Sequence, residues 1–323
     1  MNDLAINDDM LSEGTTSPFL PGTNIQYAWD STSIGWFKTC PRLYQYNMID
    51  GWTSGVESVH LRFGIEYHQA IQEYEHAKSQ GLTHDDAVHE VVRELLIRTA
   101  DFKPDETTKA GKYKNRRNLL SLVIGYLDHY EDDPAETYIM ANGKPAVELS
   151  FRFELDWGPE CNIDQPYILC GHLDRVADFN GQLLVLDHKT TTTTLSSYYF
   201  DQYEPSNQMT LYTFAGQVVL NTSVKGVCVT GAQIMLSEPN RFVRGFTYRT
   251  PDQIHEWLQD LRILFVTAEK FAEMNYWPMN DTACDKFGGC RFRGICSKDP
   301  NVRETFLKSD FTKGERWNPL KSR

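Results

Sequence analysis

Asp174, Asp187 and Lys189 stand where one tight chain reversal would align them. Between them, in GHLDRVADFNGQLLVLDHKT (171–190), lies Asn180-Gly181. This dipeptide is the strongest short signal for a two-residue type I′ hairpin turn, because both central residues must take φ > 0. Pairing Phe179 with Gln182 carries the register back until Asp174 faces Asp187. Side chains so opposed lie about 4.5–5.5 Å apart at Cβ, and like charges there destabilise the pair. Lys189 shares the face of Asp187, while Leu184, Leu186 and His188 take the other. Two carboxylates beside an ammonium group need a cation, and hard oxygen ligands suit Mg²⁺ or Mn²⁺. The chemistry served by such a set is phosphodiester hydrolysis. The cation polarises phosphoryl oxygens and acidifies a water, and Lys189 orients that nucleophile and neutralises developing charge. An ordinary surface salt bridge from Lys189 is the alternative, and the hairpin register argues against it.

The pattern G-x-x-D-R…D-x-K-T, here Gly171, Asp174, Arg175, Asp187, Lys189 and Thr190, resembles the core of the PD-(D/E)XK nucleases. The branch it resembles is the RecB-like one, which includes bacterial recombination exonucleases and CRISPR spacer-acquisition exonucleases. The motifs run in the family's order over most of residues 31–297. The resemblance implies an α/β fold with a restriction-endonuclease-like core, a mixed central β-sheet flanked by helices. It also implies a metal-dependent deoxyribonuclease, an exonuclease or end-processing enzyme of DNA repair or recombination. In FGIEYHQAI (63–71), His68 matches the family's G-x-x-x-H helix and would be a further metal ligand. Glu148 in AVELSF matches a supporting acid on the strand before the hairpin. Gln208 and Tyr212 in QMTLY fall at i and i+4 on one helix face, and match the family's Q-x-x-x-Y motif for DNA contact.

The segment CDKFGGCRFRGIC (284–296) spaces Cys284, Cys290 and Cys296 as C-x₅-C-x₅-C. Zinc ribbons prefer shorter intervals, whereas four thiolates are the usual complement of an iron–sulfur cluster. Cys40, Cys161, Cys170 and Cys228 are the candidates for a fourth ligand. Cys40 lies in F-x-x-C-P-R-x-Y with Phe37, Pro41, Arg42 and Tyr44, which resembles the N-terminal motif of the family's iron–sulfur branch. That resemblance implies a structural [4Fe-4S] cluster on Cys40, Cys284, Cys290 and Cys296. The family's usual C-x₂-C-x₅-C would place a cysteine at Phe287, so zinc and unligated thiols stay open. Cys161, Cys170 and Cys228 read as small buried hydrophobes.

The net charge of −12 over 323 residues argues against broad adhesion to nucleic acid, but its distribution is uneven. Residues 1–30 hold five acids and no Lys or Arg, whereas 103–117 and 281–323 each carry a net +4. Arg42, Lys112, Lys114, Arg116 and Arg117 are the candidate DNA-backbone contacts, and Tyr198, Tyr199, Phe200 and Tyr203 could stack bases. DNA, single-stranded or as duplex ends, is the expected partner. No helix-turn-helix or finger signature offers base readout. No long apolar run or basic-then-apolar leader is present, and a soluble cytoplasmic protein is the expectation.

These residues need elements to position them. Hydrophobic period and caps predict helices over 31–49 (broken at Pro41), 61–81, 83–100, 114–132, from about 206, and over 251–275. Alternation and β-branched residues predict strands over 146–157, 167–179, 182–194, 224–236 and 241–250. The organisation expected is a flexible acidic arm (1–26), one nuclease domain (27–300) and a basic tail (301–323). Within that domain fall a helical block (62–135), a catalytic sheet (144–250) and the cysteine motif (280–298). A structure-selective endonuclease and a non-catalytic iron–sulfur nucleic-acid-binding protein are the competing readings.

Overall fold

In a computed structural model of the chain, which describes residues 17–55, 58–285, 289–314 and 316–321, Asn180 and Gly181 take φ of 55° and 81°. Both values are left-handed, as a type I′ turn demands, and Gly181 N–H is further held by Asp178 Oδ1 at 2.6 Å. Residues 1–16 of the expected arm and 286–288 of the cysteine motif lie outside the described residues.

In chain order the first elements are β1 (Ala28–Trp29), α1 (Ser31–Thr39), α2 (Pro41–Tyr44) and a π-helical turn, Gln45–Ile49. There follow β2 (Trp52–Thr53), α3 (Val59–Ser79), α4 (His84–Arg98), α5 (Lys109–Tyr113) and α6 (Arg116–His129). The strands β3 (Ala135–Thr137), β4 (Val147–Glu154), β5 (Ile168–Phe179) and β6 (Gln182–Thr191) come next. Then come α7 (Ser197–Asp201), α8 (Asn207–Leu220), β7 (Val224–Gln233), β8 (Arg241–Tyr248) and α9 (Pro251–Glu273). The chain closes with α10 (Arg293–Cys296), α11 (Arg303–Asp310) and β9 (Thr312–Lys313). Caps fix the long helices as their sequences require: Ser58, Thr83 and Asn115 each accept a backbone N–H at the start of α3, α4 and α6.

Where one domain is expected over 27–300, the chain forms two compact units. Among the described residues the sheet unit comprises 58–149 and 172–254, and the terminal unit 17–55, 150–171, 255–285, 289–314 and 316–321. In the sheet unit β5 and β6 pair antiparallel with Phe179 opposite Gln182 and Arg175 opposite Leu186. β6 then pairs parallel with β7, which runs antiparallel to β8, and β3 joins β5 antiparallel. The sheet is therefore mixed, as a restriction-endonuclease-like core requires, and α8 supplies the crossover that the parallel β6–β7 pair needs. Helices α3, α4 and α6 bury Tyr67, Leu95, Leu122 and Tyr126 against Ala232 of β7 and Ile234 just after it.

The terminal unit is an aromatic core that gathers distant parts of the chain. Trp29 stacks on Phe265 of α9 with centroids 4.6 Å apart and on Tyr44 at 5.6 Å, and Tyr167 meets Phe265 at 4.9 Å. One expectation is corrected here: residues 17–26, expected as part of a mobile arm, form a bridge between Phe19 and Gln26 and bury Leu20 and Ile25. In the basic tail, α11 buries Leu307 and β9 pairs with β2. Cys170 and Cys228 are buried as expected, but Cys161 is exposed, because it falls in the turns between β4 and β5. Among the described residues no helix is long and apolar enough to cross a membrane.

Candidate active site

The hairpin brings Asp174 and Asp187 into one cluster, where each carboxylate has its own partner. His68 of α3 places Nδ1 3.0 Å from Asp174 Oδ2, and the His188 backbone N–H donates to the same oxygen at 3.1 Å. Lys189 Nζ donates to Asp187 Oδ1 at 2.9 Å. The other oxygen, Oδ2, lies 2.8 Å from Nζ but is buried without a hydrogen bond. Lys189 also donates to Gln208 Oε1 at 3.1 Å, and Gln208 Nε2 donates to the Tyr212 hydroxyl at 3.0 Å. The i, i+4 spacing on α8 thus delivers one continuous chain of contacts from Asp187 to Tyr212.

The alternation along β6 sends His188 to the opposite face. Its ring lies 5.5 Å from Tyr126 and 6.5 Å from Tyr67. Burial there lowers its pKa to about 3, so the ring is neutral at physiological pH. Burial opposes charge on Asp174 too, but His68 and Lys189 outweigh it and hold that carboxyl well below the usual range. Burial and the neighbouring Asp174 push Asp187 up, against the pull of Lys189. The Asp187 charge in turn raises Lys189 despite burial. The 2.8 Å contact decides between these opposed tendencies in favour of an ion pair: a charged Lys189 on a carboxylate that binds protons more readily than usual. Burial and both aspartate charges raise the Tyr212 phenol, which stays neutral.

Glu148 sits on β4 with φ of 47°, a left-handed conformation unusual for a non-glycine residue, and accepts a hydrogen bond from Gln72 Nε2. Gln72 lies one helical turn beyond His68 on α3. It was not among the expected site residues, although the i, i+4 spacing from His68 carries the signal.

The basic tract at 109–117 divides. Lys112 and Arg117 are exposed. Arg116 is not free for a phosphate: it ties α6 to the end of α4, bonding Leu96 O at 2.7 Å and Thr99 Oγ1 at 3.3 Å. Lys114 is 7 % exposed, with Nζ 3.3 Å from Thr190 Oγ1 and 5.3 Å from the Phe63 ring centre. It makes no ion pair among the described residues, and burial lowers its pKa. Of the candidate stacking aromatics, Tyr198 is exposed, Tyr199 and Tyr203 share a hydroxyl contact at 3.3 Å, and Phe200 packs on Gly245. A Cβ at Gly245 would meet the Phe200 ring at 2.2 Å, so Phe200 is half-buried and packed against the sheet.

A family model of the PD-(D/E)XK nuclease superfamily matches residues 31–297. The chain belongs to the PD-(D/E)XK nuclease superfamily. Among solved structures, this PD-(D/E)XK protein is similar to a Eubacterium rectale protein named "putative exonuclease". That similarity has a TM-score of 0.50 at 10 % identity and covers 86 % of this chain and 92 % of the other. SSO0001 also matches, at 12 % identity and a TM-score of 0.33, over 84 % of this chain and 87 % of its own. No curated protein matches.

In the terminal unit of this PD-(D/E)XK protein, Cys40, Cys284, Cys290 and Cys296 line one cavity of about 20 Å³. The Cys284 thiol is raised by burial and by Cys290 and Cys40 beside it. Burial also raises Cys296, partly offset by a hydrogen bond with Arg42. Arg42 lies beside Cys296, where Cys40-Pro41 starts α2. Among the described residues, no three His, Cys, Asp or Glu side chains converge closely enough to hold a metal ion. The donors themselves suit their groups. A buried carboxylate oxygen without a hydrogen bond is a hard ligand, and four thiols facing one void are the complement of a cluster.

Proposed function

We propose that the chain is a metal-dependent deoxyribonuclease of the cytoplasm, acting as an exonuclease or end-processing enzyme. The observation that supports this best is the unbroken contact chain Asp187–Lys189–Gln208–Tyr212 beside Asp174 and His68. Asp174 and Asp187, with His68, would hold Mg²⁺ or Mn²⁺, which when bound polarises the phosphoryl oxygens and acidifies a water. His68 Nδ1, which lies 3.0 Å from Asp174 Oδ2, and that carboxylate would both be donors to such an ion. Lys189, pinned by Gln208 and kept charged by Asp187, faces the charge that develops on the phosphoryl oxygens. Glu148, fixed by Gln72, supports the acidic side of the site. Tyr212 positions Gln208, and Lys112, Lys114 and Arg117 take backbone phosphates. Among the described residues the buried Lys114 has no counter-ion, and leaving such a charge unpaired is costly unless an anion joins it.

In the terminal unit, Cys40, Cys284, Cys290 and Cys296 would hold a structural [4Fe-4S] cluster, as in the RecB-like branch of recombination nucleases. The decisive test is incubation of the purified protein with linear and covalently closed DNA, with Mg²⁺, Mn²⁺ or EDTA. Shortening of the linear DNA only, abolished by EDTA, is expected. Cutting of the closed circle would establish a structure-selective endonuclease instead.

A further inference from the structure

The terminal unit holds a second cavity, of about 390 Å³, that the catalytic reading does not use. Its size falls in the range of small-molecule sites, about 300–1,000 Å³. Arg42, Arg303 and Lys313 line it together with Trp52, Tyr276 and Trp277. Both guanidiniums are steered by neutral groups. Arg42 Nε donates to Trp277 O at 3.3 Å, and Arg303 donates to Lys298 O and Cys296 O, both at 3.0 Å. Their charges therefore remain uncancelled while their planes are fixed. Lys313 Nζ lies 5.1 Å from the Trp52 ring centre.

Two acids also line the cavity, Asp50 and Glu304. Glu304 is occupied by Lys308 at 2.6 Å and Asp50 lies near Lys313, so the two guanidiniums have no ion-pair partner of their own among the described residues. The aromatic lining adds independent signals. Trp277 is 2 % exposed, and its indole N–H is buried with no acceptor among the described residues. Tyr276 is 59 % exposed, a large ring left open to solvent. The wall between Arg42 and Asp50 contains the π-helical turn Gln45–Ile49, a conformation that recurs at functional sites.

We propose that this cavity binds one nucleotide of a single nucleic-acid strand, its phosphate on Arg42, Arg303 and Lys313 and its base against Tyr276. Guanidinium forks match phosphate oxygens, and a free aromatic ring accepts any base by stacking, so the site is indifferent to sequence. The inference rests on the nuclease reading for its choice of ligand, but not on the catalytic residues.

The test uses the full chain in EDTA, titrated calorimetrically with dAMP, deoxyadenosine and inorganic phosphate. Saturable binding of dAMP at least tenfold tighter than either component is expected. Tyr276→Ala should weaken dAMP about 5- to 100-fold without changing the affinity for phosphate, whereas Lys313→Ala should weaken both. Both residues are exposed, and a thermal melt of each variant confirms folding. An oligothymidylate should displace dAMP. Phosphate binding as tightly as dAMP, both variants binding like the parent, or no displacement by the oligonucleotide would each overturn the proposal. Lys189→Ala protein, assayed alongside, separates the two claims. It should bind dAMP normally while failing to cleave DNA. Retained cleavage would sink the catalytic assignment and leave the pocket standing. Normal cleavage by the parent with no dAMP binding would do the reverse.

Discussion

Asp174, Asp187 and Lys189 belong to a single hairpin, whereas Cys40 and Cys284 are separated by more than two hundred residues. The first constellation is held by backbone register, with Arg175 opposite Leu186 and only a two-residue turn to close. The second is held by packing between distant parts of the chain, where Trp29 stacks on Tyr44 and on Phe265. Loop closure over that length carries an entropy cost that the hairpin avoids. A site built by register should tolerate loss of its side chains without unfolding, and a site built by closure should not.

The sharpest way to break the comparison is Lys189→Ala. Cleavage should fall by about 10²–10³-fold or more, with the protein still folded and its DNA affinity close to the parent's. A parallel loss of folding would show that the hairpin depends on the Lys189–Asp187 pair. Cys290→Ala tests the other side. If the four thiols bind a cluster, this variant should lose iron and visible absorbance and melt well below the parent, because ligand binding is there folding free energy. A colourless, metal-free parent that melts at the same temperature as the variant would remove the cluster.

Gly181→Val attacks the register itself. A β-branched residue at φ of 81° is strained by roughly 1–2 kcal/mol, so stability should drop by about that much and cleavage with it. An unchanged denaturant midpoint would mean that the turn does not set the register.

A smaller effect concerns His188, which titrates near 3 when folded against 6.5 when exposed. The unfolded chain gains a proton as pH falls through 6.5, and the folded ring does not until about 3. The contribution of neutral His188 is therefore full above pH 6.5 and is lost as pH falls through that window. His188→Phe should accordingly gain on the parent between pH 7 and 5, by up to about 1.4 kcal/mol per unit. A stability difference independent of pH would place the ring in water. The slightest change expected is for Lys112→Ala with Arg117→Ala. The salt slope of DNA binding should fall by about one for each phosphate left without its cation, and an unaltered slope would move the DNA path elsewhere.

Much of the fold was legible because its signals are local. Asn180-Gly181 fixed the hairpin, Ser58 and Thr83 marked where α3 and α4 begin, and Pro41 broke the first helical stretch. The parallel pairing of β6 with β7 was less so, since alternation along a strand does not reveal its neighbour's direction. Arg116 shows the same limit among site candidates. Positive charge in the sequence suggested a phosphate contact, but the carbonyl of Leu96 claimed it.

What the sequence determined alone was which side chains share a face: Asp187 with Lys189, His188 opposite, Gln208 above Tyr212, and His68 above Gln72. Strand and helix periods are properties of the backbone and require no partner. The tertiary structure decided which partner each charge received. His68 met Asp174, Gln208 met Lys189, and Lys114 was buried on Phe63 with no counter-ion among the described residues. Those meetings depend on how helices pack across a sheet, where distance in the chain carries no information about distance in space.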